Sequence, residues 1–216
     1  MLNLFDINNT FFSVGSYPVS WIEFVGTIAG IVAVWMAAKN NILTWPIGLI
    51  NITLFFLIFF QVQLYSDMFL QIYFFAISVY GWLFWKKEFA QDQPIHLLSA
   101  KSALILGIVT LVSTLVLGFL VSNIHHYFPE LFTKPAAFPY VDSFVAVASI
   151  IANTLMAKRI LENWIIWIVV NIICVFLYFQ KHILFVSFEY LIFLGLAVYG
   201  FWHWKQIHFK ELSVQK

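Results

Sequence analysis

Hydrophobic runs of about 17 to 23 residues, separated by short polar breaks, organise this chain, and that is the length a helix needs to cross a hydrocarbon core of about 30 Å. They predict seven helices, at 19–38, 44–62, 66–85, 101–122, 140–157, 163–180 and 183–204. None alternates polar and apolar positions as a barrel strand does, and only a helix satisfies its own backbone in lipid without closing a barrel. Most breaks are so short that neighbouring spans must form antiparallel hairpins. The longer breaks, 86–100 and 123–139, hold Pro94, Pro129, Pro135 and Pro139 and isolate the fourth run. The expected fold is therefore an all-α polytopic membrane protein, two parallel three-helix repeats joined by a linker helix. Residues 1–18 are expected to be an interfacial segment with Phe5, Phe11, Phe12 and Tyr17 on the headgroups. The first repeat is 19–85, the linker 86–139 with its helix at 101–122, the second repeat 140–204 and a cytoplasmic tail 205–216.

The repeat is visible in the residues themselves. Thr44-Trp45-Pro46-Ile47-Gly48-Leu49-Ile50-Asn51, closing on Tyr80-Gly81-Trp82-Leu83-Phe84-Trp85-Lys86, returns about 119 residues later as Asn163-Trp164-Ile165-Ile166-Trp167-Ile168-Val169-Val170-Asn171, closing on Tyr199-Gly200-Phe201-Trp202-His203-Trp204-Lys205. Lys39, Lys86, Lys87, Lys101, Lys158, Arg159, Lys205, Lys210 and Lys216 fall on one side of the predicted spans; only Lys134 and Lys181 fall on the other. Cytoplasmic loops carry the basic excess, which puts the N-terminus outside and the C-terminus inside. A single crossing by the fourth helix lets the second triplet enter from the same side as the first. The two are then parallel repeats, an arrangement used by transporters that hold their site between the halves.

Composition agrees with a lipid solvent. Of 216 residues, 62% are hydrophobic and 10% charged, against roughly 25% charged in soluble domains. Phe is abundant, and a net charge of +1 offers no footprint for nucleic acid. The lone cysteine, Cys174, lies in an apolar run, and the first eighteen residues lack the basic start and apolar core of a secretory signal.

Polar groups at depth are costly unless protein satisfies them or they line a wet cavity. Asn51 and Asn171 each lie near mid-span, matched to within one residue. Trp164, Trp167, Asn171, Cys174 and Tyr178 share a helical stripe, as do Thr44, Gly48, Asn51 and Phe55. Gln71, Ser78 and Trp82 form a third line with Tyr73 and Tyr80 beside it, and Glu189 shares a face with Gly200, with Tyr190 and Tyr199 adjacent. Each has a plainer reading. Asn in a membrane helix also serves as interhelical glue, and glycine in Tyr80-Gly81 and Tyr199-Gly200 also serves close packing. Trp21, Trp35, Trp85 and Trp204 read first as interfacial anchors. Glu23 and Asp142, in first helical turns, read first as partners of the helix dipole, whereas Glu189, whose repeat partner is Leu70, is the better candidate for a functional charge. Asn153 either lines the same cavity or bridges helices.

No histidine pair has metal-ligand spacing with a carboxylate, and there is no phosphate-cradling glycine loop, Cys pair or nucleophile elbow, so neither catalyst nor metal nor cofactor is nominated. The absence of a deeply buried basic residue argues against a voltage sensor or dedicated anion path.

The seven-span plan, the Trp-Pro-x-Gly-x-x-Asn and Trp-x-x-Trp-x-x-x-Asn segments and the repeated Tyr-Gly endings resemble the PnuC family of bacterial nicotinamide riboside transporters, over about residues 19 to 205. The resemblance implies a 3+1+3 fold similar to the SWEET sugar transporters, an inner-membrane location and self-association. It also implies facilitated diffusion of the unphosphorylated riboside, trapped afterwards by cytoplasmic phosphorylation. The residues suit that substrate: Trp167 and Trp164 offer faces for a cationic ring, and Asn171 matches a carboxamide donor for acceptor. Asn51, Gln71, Tyr80 and Tyr199 complete the expected site, with Glu189 complementing the positive charge. When the two asparagines are aligned, Ile47 of the first repeat stands at the place of Trp167, so the site must be asymmetric. A thiamine or sugar transporter of the same fold, and a non-transporting channel or scaffold, remain alternatives.

Overall fold

A computed structural model describes residues 4–15, 17–62, 65–90, 94–127, 130, 135–180 and 184–214. Pro129, Lys134, Lys181 and Lys216, used in the sequence reading, lie outside the described residues. Seven helices follow in order: α1 (Trp21–Ala38), α2 (Thr44–Gln61), α3 (Tyr65–Ala90), α4 (Ala100–Tyr127), α5 (Pro139–Ala157), α6 (Asn163–Gln180) and α7 (Leu184–Val214), and all are long and apolar enough to cross a membrane.

Local chemistry sets their ends. Ser20 caps α1 by accepting the Glu23 amide at 3.3 Å, and Pro139 opens α5, where its missing N–H costs nothing. Matching helices stop in matching ways. Past α1 and α5 the chain turns through left-handed residues, Asn40 at φ 53° and Arg159 at φ 55°. Asn tolerates that region; Arg159 is held there by the linker, whose His96 N–H donates to the Arg159 carbonyl at 3.0 Å while His96 accepts from Leu161 N–H at 3.0 Å.

The helices form a ring in which α2 joins α1 to α3, and α6 joins α5 to α7. The triplets meet at two seams, α1 against α7 and α3 against α5. These seams are equivalent, because the repeat pairs α1 with α5 and α3 with α7. Among the described residues the linker helix α4 touches α5 alone of the helices and leaves Leu104, Ile108, Leu111, Leu115 and Phe119 exposed, as a lipid-facing helix should. Gly118 explains its one attachment: a Cβ there would stand 2.2 Å from the Tyr140 ring, so only glycine admits the α5 aromatic.

Two elements differ from the sequence reading. The N-terminal segment, for which the sequence reading named no strands, holds an antiparallel hairpin, β1 (Thr10–Val14) with β2 (Tyr17–Ser20). Gly15 at φ +62° supplies part of its turn, and Phe11 stacks on Trp21 with centroids 3.5 Å apart. Gln61 at the end of α2 fastens the segment, donating to the Phe5 carbonyl at 2.8 Å and accepting from the Ile7 N–H at 3.1 Å. At the other terminus α7 runs through the expected tail to Val214.

Trp85 and Trp204 are also not interfacial. Both are 0% exposed and join Trp45 and Trp164 in a cluster at the end of the ring that carries Lys39, Lys86, Lys158 and Lys205, here called the basic end. Trp45 meets Trp85 edge-on at 5.3 Å, Trp164 meets Trp204 edge-on at 5.6 Å, and Trp85 lies 5.8 Å from Trp204 across the pseudo-twofold axis. A buried indole usually pairs its N–H; among the described residues those of Trp45 and Trp164 have no partner, whereas those of Trp85 and Trp204 do. Trp85 finds the Met156 and Ala157 carbonyls at 3.2 and 3.1 Å, and Trp204 finds the Ala37 carbonyl at 2.9 Å. Each of these bonds crosses from one repeat to the other.

A candidate ligand cavity between the repeats

Inside the ring lies a cavity of about 460 Å³, within the range of small-molecule sites, lined by residues of every helix except α4. The stripes seen in sequence face it. Thr44, Gly48, Asn51 and Phe55 come from α2, and Trp164, Trp167, Asn171 and Tyr178 come from α6. Trp45 and Trp164 close its basic end, each indole pressed on a glycine of the neighbouring helix. A Cβ at Gly81 would lie 2.5 Å from Trp45, and one at Gly200 would lie 2.7 Å from Trp164.

The asparagines differ in their surroundings. Asn51 donates Nδ2 to the Gly26 carbonyl at 2.8 Å, bridging α2 to α1. Asn171 is 4% exposed, borders the cavity, and makes no hydrogen bond among the described residues. A buried amide without a protein partner is unusual and suits a group waiting for water or ligand. Trp167 stands one turn away on the same wall, and Gln71 and Asn153 present amides from α3 and α5. Further along the same α6 stripe Tyr178 stacks on Tyr190 of α7 at 5.4 Å with an interplanar angle of 10°.

Toward the hairpin the lining turns acidic. Glu23 of α1 and Glu189 of α7 both border the cavity, and no Lys, Arg or His does so among the described residues. The Tyr17 hydroxyl, reaching down from β2, donates to Glu23 Oε1 at 2.7 Å. Partial burial raises the Tyr17 phenol well above its ordinary range, and the nearby Glu23 and Glu189 charges raise it further.

A sequence profile described as a nicotinamide mononucleotide transporter matches residues 20–206. The chain belongs to that transporter family. The nicotinamide riboside transporter PnuC of Escherichia coli is 36% identical over 210 residues, spanning 88% of this chain and 87% of that protein. The riboflavin/roseoflavin transporter RibM of Streptomyces davaonensis is 24% identical over 204 residues, spanning 92% of this chain and 91% of its own. Among solved structures, that of the vitamin B3 transporter PnuC superposes with a TM-score of 0.67 at 26% identity, covering 88% of this chain and 83% of the other. The relatives are transporters, and this member of the nicotinamide mononucleotide transporter family is a multi-pass membrane protein of the same kind, not an enzyme.

Within this family fold, Trp167, Asn171, Asn51, Gln71, Glu189 and Trp164 come together on one cavity. Tyr80 and Tyr199 do not. Both are 43% exposed on the outer face of the ring, Tyr80 stacked on Phe84 and Tyr199 on His203. The reason is angular: the glycine beside each tyrosine faces inward against an indole, and the next position on a helix points about 100° away. Trp82 likewise faces outward, 40% exposed. Tyr73 joins the repeats, its hydroxyl 2.6 Å from Thr154 Oγ1. Glu23 is the residue the sequence assigned elsewhere. Its place in a first helical turn gave it a dipole role, and only the ring closure of α1 on α7 brings it to the cavity.

Proposed function

We propose that this chain takes up nicotinamide riboside across a bacterial inner membrane by facilitated diffusion, with the hairpin end outside and the basic end in the cytoplasm. The carrying observation is the unpartnered Asn171 amide beside Trp167 in a cavity walled by both repeats. An amide answers the ligand's carboxamide with one donor and one acceptor, and the indole takes the cationic ring by stacking and cation–π attraction, worth about 2 kcal/mol where water is excluded. Family and relatives divide between mononucleotide and riboside in their descriptions. Charge favours the riboside, because a phosphate dianion would enter a lining that holds Glu23 and Glu189 and no basic side chain among the described residues. Phosphorylation in the cytoplasm would then trap the product as an anion that the same cavity repels.

Transport proceeds by alternating access. The tryptophan cluster closes the basic end, and its hydrogen bonds join opposite repeats, so rocking the triplets apart at that end opens a cytoplasmic exit. The riboflavin/roseoflavin relative, aligned over nearly its whole length, favours a second reading in which the aromatic walls accept a larger flavin.

Titrating the purified protein with nicotinamide riboside, its phosphorylated form, thiamine and riboflavin, read by tryptophan fluorescence, separates these. The riboside is expected to bind saturably and the phosphorylated form not. Trp167→Ala and Asn171→Ala are expected to weaken riboside binding at least tenfold in folded protein. Unchanged binding by both variants would falsify the site.

A further inference from the structure

The seams between the repeats are equivalent by the pseudo-twofold axis but not in charge. At the α1–α7 seam Glu23 and Glu189 both border the cavity; at the α3–α5 seam the corresponding positions are Leu70 and Asp142, and neither borders it. Among the described residues the hairpin packs on α1 at the acidic seam and on no other helix, and there Tyr17 holds one oxygen of Glu23 at 2.7 Å. Deeper in the same cavity the Asn171 amide, 4% exposed and unpartnered among the described residues, marks where a polar ligand group is received. Asn171 lies at mid-helix in α6, while Glu189 and Glu23 lie near the hairpin ends of α7 and α1. A ligand whose amide end reaches Asn171 therefore passes the carboxylates on entry and keeps its charged portion closest to them.

We propose that Glu23 is a specificity-determining residue that selects cationic over uncharged ligands jointly with Glu189, and that Tyr17 is a positioning residue fixing the Glu23 carboxylate toward the seam. In a partly desolvated mouth two carboxylates attract a single positive charge more strongly than either alone, and no basic side chain in the described lining offsets them. The phenol's hydrogen bond occupies one Glu23 oxygen and leaves the other for the ligand or its water. The sidedness of the seam makes the hairpin part of the entrance.

This inference rests on nicotinamide riboside being the ligand, and the test separates the two. Purified wild type, Glu23→Gln and Tyr17→Phe are titrated with cationic nicotinamide riboside and with its reduced, uncharged dihydro form, which keeps the carboxamide and ribose. Wild type is expected to prefer the cation. Glu23→Gln is expected to weaken the cation about tenfold while leaving the uncharged form within about twofold, a selectivity loss equivalent to about 1.4 kcal/mol. Tyr17→Phe, which removes no charge, is expected to lower the ratio of the two affinities about threefold, and it decides the matter alone if Glu23→Gln does not purify folded. Wild-type binding of neither form overturns the substrate reading and this inference together. Normal wild-type binding with an unchanged ratio in the variants overturns the inference only. An equal loss of both forms would show that Glu23 serves structure, and would overturn it as well.

Discussion

Asn51 and Asn171 stand one residue out of register in the repeat, and a helix turns about 100° per residue, so the same side chain meets different neighbours. Position 51 faces α1 at Gly26 and Gly30, where its amide ties two helices. Position 171 opens on the cavity, while Val170, the true counterpart of Asn51, is buried against Ala148 and Cys174. Asn51 is thus tied to a neighbouring helix, whereas the Asn171 amide is left facing the cavity. Asn51→Ala is expected to destabilise the protein by about 0.6 to 1.7 kcal/mol, the measured worth of such membrane bonds. Asn171→Ala breaks no protein bond and is expected to leave thermal unfolding in detergent within about 1 °C of wild type while riboside binding collapses. A larger stability loss at Asn171 than at Asn51 contradicts this division. Sequence showed two amides at matching depth; it did not show a partner for one and none for the other, because a partner is a property of the adjoining helix.

At the scale of elements, small residues decide how closely helices pack. Gly81 and Gly200 hold the indoles of Trp45 and Trp164 so tightly that any Cβ overlaps a ring, and the rings are wedged in turn against Trp85 and Trp204. Gly81→Ala and Gly200→Ala are each expected to destabilise by about 1 to 3 kcal/mol, the usual range for overpacking. Gly107→Ala and Gly195→Ala, where a Cβ meets nothing within 4 Å, are expected to be near neutral. Thermal melts of the purified variants compare them; equal effects at all of these positions would mean that glycine there serves the backbone and not the indole. The helices themselves were legible, since a bilayer imposes their length: α6 covers the predicted residues, and α2 differs by one residue at its end. The hairpin was not legible, because Thr10–Val14 and Tyr17–Ser20 are short, largely exposed strands whose stability comes from packing on Trp21 and from Gln61, far along the chain.

For the whole molecule the question is what must part during transport. On the proposed mechanism the triplets separate at the basic end, which breaks the bonds from Trp85 to the Met156 and Ala157 carbonyls and from Trp204 to the Ala37 carbonyl. Phe at position 85 or 204 keeps most of the ring volume and removes the donor. Either variant is expected to favour the inward-open state about threefold to tenfold, for a bond worth about 1 kcal/mol. A cysteine introduced at Ala38, 0% exposed here, in a Cys174→Ser background reports this as faster labelling by a membrane-impermeant maleimide added to the cytoplasmic side. Labelling no faster than in the parent would place the gate elsewhere. By itself the sequence determined the solvent, the number of spans, the parallel duplication and the stripe of Trp167 and Asn171, because each follows from periodicity, repetition and composition along the chain. Only the tertiary structure decided that Trp85 and Trp204 are core and not interface, that Tyr80 and Tyr199 face outward, and that Glu23 shares a cavity with Glu189. Those outcomes depend on which faces meet when the ring closes, and a helix carries no local record of its neighbour.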